Sequence, residues 1–178
     1  DTDSASLTET EAALSTSGTL TVNDADLSDN VSLTTSVATS GTTAGIEFDN
    51  SQLAALFTVN SGSISADPTD TNNISWTFNA GTDAFDYLAD GESLTLTYSI
   101  TVTDDASATA TQDVTITIDG TNDAPTISVK PGDTDSASLT ETEAALSTSG
   151  TLTVNDADLS DNVSLTTSVA TSGTTAGI

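Results

Sequence analysis

Apolar and polar residues alternate along several stretches of the chain, most clearly between residues 93 and 103. In SLTLTYSITVT every second residue is apolar, and serine or threonine fills the positions between. A period of two places the apolar side chains on one face, which predicts a half-buried antiparallel strand. The same alternation occurs in DVTITID (113–119) and in ISWTF (74–78).

Shorter patterned runs and turn signals occupy most of the remaining chain. Strands are predicted at 6–8, 19–22, 31–37, 45–48, 57–59, 63–65 and 126–129. Turn signals rich in Gly, Ser, Asn and Pro separate them at 17–18, 40–45, 60–62, 66–73 and 79–83. Brief helical turns are predicted at 50–56 and 84–92. Seven or more short strands with frequent turns predict an all-β sandwich of Greek-key type, with Trp76 in its core.

An exact internal repeat sets the domain organisation. Residues 1–46 recur without change at 133–178, an offset of 132 residues. These two segments are called the first copy and the second copy below. The period suits a whole domain rather than a solenoid unit. We therefore expect one module at 1–123 and the start of an identical module at 124–178, within a longer tandem array.

The second module is truncated in this chain, because the second copy ends before most of its predicted strands. A third of a sandwich cannot bury both of its sheets. We expect residues 124–178 to pack against the first module or to exchange strands with a neighbouring chain. The alternative is poor order, and an independent compact domain at 133–178 would contradict the expectation.

The composition restricts the chemistry available to the chain. Asp and Glu number 27, Lys130 is the single Lys or Arg, and the net charge is −26. Without Cys, His or Met, metal sites built on nitrogen or sulfur ligands are excluded, and oxygen ligands favour Ca²⁺ or Mg²⁺. Such a polyanion repels nucleic acid and anionic membranes, so we expect neither as a partner.

The acidic residues gather at the ends of predicted strands, at 8–11, 23–30, 103–105 and 119–125. In a sandwich, strand ends collect at two poles. Two carboxylates about 4 Å apart repel by roughly 1 kcal/mol in water and about 4 kcal/mol at an effective dielectric constant near 20. Calcium would offset this repulsion, although Asp at strand ends also caps turns and improves solubility.

The segment 119–125 carries a family resemblance. Its Asp-x-x-Asn-Asp-x-Pro spacing resembles the calcium-binding linker of cadherins. Over nearly the whole period, the chain resembles the VCBS-type and cadherin-like (bacterial Ig-like) extender repeats of large RTX adhesins. The matching stretches are LTETE (7–11), GTLTVNDAD (18–26), LADGE (88–92), SITVTDD (99–105) and TQDVTITIDGTNDAP (111–125).

The resemblance implies an Ig-like or cadherin-like fold and a calcium-dependent structural role. Such modules are rigid extenders of adhesins that leave bacteria by type I secretion and act at the outer cell surface in adhesion and biofilm formation. Identical modules of the same chain would be the partners. The glycine-rich RTX nonapeptide is absent, so the chain is not the calcium-binding β-roll itself.

The resemblance also implies a set of calcium ligands, in one joint between modules. The first module would supply Glu9 or Glu11, Asp104 or Asp105, Asp119, Asn122 and Asp123, and the next module Asp156 and Asp158. Asp24 and Asp26 would serve a joint with a preceding module. Asn and Asp exchange order at 122–123 relative to cadherins, so which of the two gives a side-chain oxygen stays open.

Other acidic loops are interpreted differently. Solvated turns are predicted for Asp67, Asp70, Asn72, Asp83, Asp86 and Asp90. For Asp1, Asp3, Asp133 and Asp135, turn capping and calcium binding both stay open.

Two other function classes were weighed against the extender. A module that binds glycan, protein or ice is the alternative, but aromatic residues make up 4% of the chain and its repeat is too long for an ice-binding array. Without His, Cys or Arg, an enzyme could use only a pair of carboxylates. No acidic residue lies in a sequence context apolar enough to raise its pKa, so we expect no enzyme.

Overall fold

A computed structural model describes residues 1–10, 12–60, 62–82 and 84–173. The regular structure is almost entirely β, which confirms the all-β prediction. The chain divides into two compact units. The first contains residues 1–124 together with 157–160, and the second contains residues 125–156 and those from 161 onward.

Within its described residues, the first unit contains two sheets. In chain order, its elements are β1 (Ser4–Thr8), β2 (Leu14–Leu20), β3 (Asn30–Gly41), α1 (Asn50–Ala55), β4 (Phe57–Val59), β5 (Ile64–Ser65), β6 (Ile74–Gly81), β7 (Ser93–Thr103) and β8 (Thr109–Asp119). One sheet has the order β1-β8-β7-β3-β5, and the other has the order β2-β6-β4. The strand β1 runs parallel to β8, and the other neighbours are antiparallel.

The buried faces of both sheets form one hydrophobic core. The alternation predicts this burial correctly at 74–78 in β6, 94–100 in β7 and 114–118 in β8, where every second residue is buried. Trp76 is 1% exposed, and its indole Nε1 donates to the carbonyl of Thr2 at 2.9 Å. The Tyr98 hydroxyl donates to the carbonyl of Leu53 at 2.9 Å. The polar atoms of the buried Trp76 and Tyr98 side chains therefore both have hydrogen-bond partners. The predicted core position of Trp76 is confirmed.

One turn prediction and one strand prediction are wrong. The Ser-Gly pair at 17–18 lies inside β2 and forms no turn. Glycine is needed there because a Cβ on Gly18 would lie 2.6 Å from the indole of Trp76. Residues 45–48 form no strand.

The two predicted helical turns have different outcomes. The first is α1, which begins with a capping box. Asp49 Oδ1 accepts from the amide of Gln52 at 2.8 Å, and Gln52 Oε1 accepts from the amide of Asp49 at 2.9 Å. The second, at 84–92, forms turns closed by the bonds from Leu88 N to Phe85 O and from Glu92 N to Ala89 O.

The second unit contains a single small sheet within its described residues. Here β9 (Thr126–Ser128) pairs antiparallel with β10 (Thr153–Asn155). The sequences of β1, β2 and β3 recur in this unit but are not strands in its described part. Leu14 is 5% exposed, whereas its counterpart Leu146 is 50% exposed. The second copy lacks counterparts of β6, β7 and β8, which pair with these strands and cover them in the first unit.

Candidate functional site

The β7–β8 hairpin separates the predicted calcium ligands into two groups. Asp119 ends β8 and lies opposite Ser93, whereas Asp104 and Asp105 follow β7 in the turn at the other end. At about 3.3 Å per residue, the hairpin places roughly 30 Å between these ends. Asp104 and Asp105 therefore do not share a site with Asp119. The grouping of all these residues in one joint is wrong, because antiparallel pairing sends successive strand ends to opposite poles.

The first group is called the linker-end cluster, and it consists of Glu9, Asp86, Asp119, Asn122, Asp123 and Asp158. The second is called the turn-end cluster, and it consists of Asp24, Asp29 and Asp104. Glu11 and Asp83 lie outside the described residues.

Glu9 is one of two buried acids in the linker-end cluster, and 2% of its surface is exposed. It directly follows β1, and its amide donates to the carbonyl of Asp119 at 2.8 Å, which continues the parallel pairing with β8. The Thr121 hydroxyl donates to Glu9 Oε2 at 2.9 Å and approaches the Glu9 carbonyl at 3.2 Å. The segment after β8 therefore closes over the Glu9 side chain.

Asp158 is the second buried acid, and it is 1% exposed. Its Oδ2 accepts from the amide of Asp123 at 2.7 Å. Asp158 belongs to the second copy by sequence but lies in the first compact unit. Its counterpart in the first copy, Asp26, is exposed. Identical local sequences thus place the same side chain in water in one copy and in the linker-end cluster in the other.

Gly120 allows the segment that follows β8, residues 120–124, to approach the loop before β7. This segment is called the linker below. Its amide donates to the carbonyl of Glu92 at 3.0 Å. A Cβ at this position would collide with the carbonyls of Leu88 and Ala89, the second at 2.5 Å. Only glycine fits this close approach of two backbones. The glycine of the Asp-Gly-Thr-Asn-Asp motif therefore packs the linker against the loop that precedes β7.

Asp86 is a member of the cluster that sequence reasoning missed, since a solvated turn was predicted there. The structure places it half-buried and close enough to Glu9 for their charges to repel. The preceding residue, Phe85, is buried and has a φ of 73°, a left-handed backbone conformation that is unfavourable for residues other than glycine. The aromatic neighbours Phe85 and Tyr87 were the signal in the sequence that this loop packs inward.

The electrostatics of the cluster oppose a charged Glu9. Burial raises the pKa of the Glu9 carboxyl above 4.5, the Thr121 hydroxyl works against this increase, and the negative charges of Asp123 and Asp86 add to it. The expectation that no acidic residue lies in an apolar setting is therefore wrong. Glu9 follows a polar threonine in sequence, and its burial arises from the linker, which is distant in the chain.

The remaining predicted ligands are less buried than Glu9 and Asp158. Asp119 is exposed, and its Oδ2 accepts from the Ser6 hydroxyl at 2.8 Å. Asn122 is exposed, and its side-chain amide nitrogen donates to the carbonyl of Asp123 at 2.9 Å, so its side-chain oxygen is the atom that would face an ion. Asp156 is half-buried directly after β10, in the second unit.

The turn-end cluster brings together carboxylates from two turns. One oxygen from each of Asp24, Asp29 and Asp104 lies within 4.8 Å of the other two. Backbone amides orient two of these groups, since Asp24 accepts from Asp26 N at 2.9 Å and Asp104 accepts from Ala108 N at 2.8 Å. Sequence reasoning named Asp24 and Asp104 but assigned them to different joints, and it missed Asp29.

Asp26 and Asp105 stand beside this group in other roles. Asp105 Oδ2 accepts from the amide of Asn30 at 3.0 Å, which ties the β7–β8 turn to the start of β3. Asp26 is exposed, and its carbonyl accepts from the amide of Asp29 at 2.8 Å.

Two of the remaining acidic loops contain turn-capping residues. Asp67 Oδ1 accepts from the amide and the hydroxyl of Thr69 at 2.8 and 2.7 Å, and these bonds lower the pKa of its carboxyl. The Asp133 carboxylate accepts from the amide of Lys130 and from the hydroxyls of Thr151 and Thr153. These bonds keep the pKa of Asp133 low. Both patterns fit turn capping without a metal.

The linker-end cluster contains the residue types that bind calcium. Ca²⁺ takes six to eight oxygen ligands from carboxylates, amide oxygens and backbone carbonyls, often in flexible geometry. Glu9, Asp86, Asp123 and Asp158 offer carboxylates, and Asn122 offers an amide oxygen. These residues could hold the ion, which would neutralise charge that the chain itself cannot balance with its single lysine.

Comparison of the chain with protein-family models and with curated proteins finds no match. In the described part of the chain, no helix combines the length and the apolar composition needed to cross a membrane.

Proposed function

We propose that the chain is a calcium-dependent structural extender, built from tandem Ig-like or cadherin-like Greek-key β-sandwich modules. The strand orders β1-β8-β7-β3-β5 and β2-β6-β4 support this fold, because Ig-like sandwiches divide their strands between two sheets over one core in this way. Following the resemblance in the sequence, we place it in an adhesin on the outer surface of a bacterium, exported by type I secretion.

The observation that carries the proposal is the burial of Glu9 and Asp158 beside Asp86 and Asp123. Buried carboxylates require a compensating charge or a proton, since desolvation of an uncompensated ion is expensive. Lys130, the single cationic side chain, is exposed. A calcium ion bound by these carboxylates supplies the missing positive charge.

The origin of Asp158 gives this calcium site its structural role. Three of the acidic ligands come from the first module and Asp158 comes from the second copy. An ion held by both fixes the start of the second copy to the end of the first module. By the same repeat, the turn-end cluster of Asp24, Asp29 and Asp104 would serve the junction of each module with the one before it.

The free energy involved is large enough to control folding. Extracellular modules bind calcium with dissociation constants of about 10⁻⁴ to 10⁻³ M. A site with free calcium about 100-fold above its dissociation constant adds roughly 2.7 kcal/mol to the stability. Two such sites add about 5 kcal/mol, which is comparable with the total stability of a domain, about 5–15 kcal/mol.

The competing functions have less support. A glycan-binding module needs exposed aromatic rings, but the single tryptophan is in the core. Glu9 has the raised pKa of an acid catalyst, yet a substrate cannot reach a carboxyl group that is 2% exposed. Calcium binding accounts for the burial and the repulsion of the same residue.

A matched pair of variants tests the proposal. Thermal melts of the 178-residue chain should show a melting temperature about 8–15 °C higher in calcium than in chelator. Asp158→Asn should remove at least half of this increase because it removes a ligand charge. Asp26→Asn changes the same residue of the repeat at an exposed position and should retain most of the increase. A melting temperature that does not respond to calcium would rule out the proposal.

A further inference from the structure

The sequence Thr-Val-Asn occurs in both copies but is a strand in only one of them. Residues 21–23 follow β2 and are not part of a strand, whereas the identical residues 153–155 form β10. The partner of β10 is β9, which lies in the segment APTISVKPG (124–132) ahead of the second copy. The 178 residues contain this segment once, so the presence of a partner distinguishes the two copies.

The chain enters both copies in the same register. In the first copy, the amide of Thr2 donates to the carbonyl of Thr19 at 2.7 Å. In the second copy, the equivalent bond joins Thr134 to Thr151 at 3.0 Å. The first residues of each copy therefore run along the same edge of the equivalent segment, 19–23 or 151–155.

A side-chain bond repeats in the same way. The Thr21 hydroxyl donates to Asp1 Oδ1 at 2.9 Å, and the Thr153 hydroxyl donates to Asp133 Oδ2 at 2.7 Å. In the second copy, Asp133 also accepts from the amide of Lys130, which turns the preceding residues toward β10. The first copy thus has the anchor for a preceding strand already in place.

In the first unit, a groove of about 450 Å³ lies beside residues 20–23. Its apolar lining comes from both sheets and consists of Leu20, Val22, Ile74, Ile100, Val102 and Ala110. Asp1 and Asp3 also line it and are acidic. The groove therefore offers an apolar floor and a negative rim beside the strand edge that β9 occupies in the second unit.

We infer that this groove receives an extended strand with the sequence of residues 124–132, joined in line ahead of Asp1. The pairing of β9 with β10 sets the register, so the isoleucine equivalent to Ile127 lies opposite Val22. Ile127 itself is 62% exposed in the second unit, where the groove walls have no counterpart. Bound in the groove, this isoleucine is covered, and the lysine equivalent to Lys130 approaches the two aspartates.

This inference goes beyond the extender function and does not depend on calcium. It rests on the repeated register and on the groove, so it can fail while the calcium proposal stands, and the reverse is equally possible. It assigns the segment 124–132 to the module that follows it, as the first strand of that module.

The test compares two extended proteins with the 178-residue chain, all in chelator. One carries APTISVKPG ahead of Asp1, and the other carries the same extension with aspartate in place of the isoleucine. The native extension should raise the melting temperature by about 5–10 °C, because it buries one large apolar side chain and pairs a strand. Hydrogen exchange at the amides of Thr21 and Asn23 should slow at least tenfold. The aspartate extension should show neither effect.

A groove variant provides the second control. Ala110 is exposed, so Ala110→Arg should leave the unextended chain folded while it obstructs the groove and removes the gain from the native extension. Equal melting temperatures for the two extensions, with unchanged exchange at Thr21 and Asn23, would overturn the inference. A gain that depends on protein concentration would also overturn it, since the strand would then come from a second chain.

Discussion

Glu9→Gln should change the stability of the first unit in opposite directions with and without calcium. The substitution keeps the size of the side chain and an oxygen to accept the Thr121 hydroxyl, but it removes the negative charge. In the calcium-free chain, that charge is buried beside Asp86 and Asp123. In the calcium-bound chain, the same charge is a ligand.

Without calcium, the variant should be the more stable protein. Two carboxylates repel by about 4 kcal/mol at 4 Å and an effective dielectric constant of 20, and by less at larger separations. Relaxation and salt reduce this repulsion, so we expect a gain of about 1–2 kcal/mol. For a unit of this size, that gain raises the melting temperature by about 3–8 °C.

With calcium, the order should reverse. A wild-type site with calcium 100-fold above its dissociation constant contributes roughly 2.7 kcal/mol. If the loss of one charged ligand weakens binding about 100-fold, the variant retains only about 0.4 kcal/mol at the same calcium concentration. The loss of about 2.3 kcal/mol exceeds the gain from relieved repulsion, so the variant should be the less stable protein.

The second copy offers the matched control for this prediction. Glu141 is the exact counterpart of Glu9, with the same neighbours in sequence, and it is exposed. Glu141→Gln should leave both melting temperatures close to those of the wild type. Differential scanning calorimetry in calcium and in chelator measures all the values. A Glu9→Gln variant that is less stable in chelator, or that gains as much from calcium as the wild type does, would refute the reasoning.

Three further predictions follow from the same structure. In chelator, the stability of the first unit should fall as the pH rises from 4.5 through the raised pKa of Glu9, because the folded state holds the Glu9 proton more tightly than the unfolded state does. Urea titrations across this pH range should show this decrease in unfolding free energy, and the decrease should be smaller in Glu9→Gln. Gly120→Ala should cost about 1–3 kcal/mol by urea titration, since its Cβ collides with backbone, and should also weaken calcium binding measured by calorimetry. Leu14→Ala should cost about 2–5 kcal/mol, whereas Leu146→Ala should change the stability by less than about 0.5 kcal/mol; equal effects would contradict the difference in burial.

The fold could be predicted from the sequence where the pattern is long and local. In β7, Leu96, Tyr98 and Ile100 alternate with polar residues for eleven positions, and only one assignment fits them. The prediction fails at Gly18, because a glycine that makes room for Trp76 is locally indistinguishable from a glycine in a turn. At 84–92 the chain forms two hydrogen-bonded turns instead of a helix, and the segment after β8 packs on this loop through Gly120.

The candidate site shows the same division. Asp119, Asn122 and Asp123 stay predicted ligands, and their contiguous motif places them together after β8. Asp86 and Asp29 were missed because they enter the clusters through packing between distant loops. Asp104 was assigned to the wrong end, because a list of strand ends does not say which pole each end occupies. That information lies in the antiparallel pairing of β7 with β8.

The two copies separate the effect of sequence from the effect of context. Residues 30–41 form the strand β3, but the identical residues 162–173 form no strand. The two segments have the same sequence and therefore the same local propensity to form a strand. The difference must come from the partner strand β7, which the second copy lacks. Asp158 shows the reverse case, since it gains a buried position that its counterpart Asp26 does not have. In the proposed array, each module would therefore need its own later strands to fold, and its acidic loop after β2 would contribute to the module before it. Calcium bound by that loop would stabilise the preceding module, so Asp158→Asn should lower the stability of the first unit although the substituted residue belongs to the second copy.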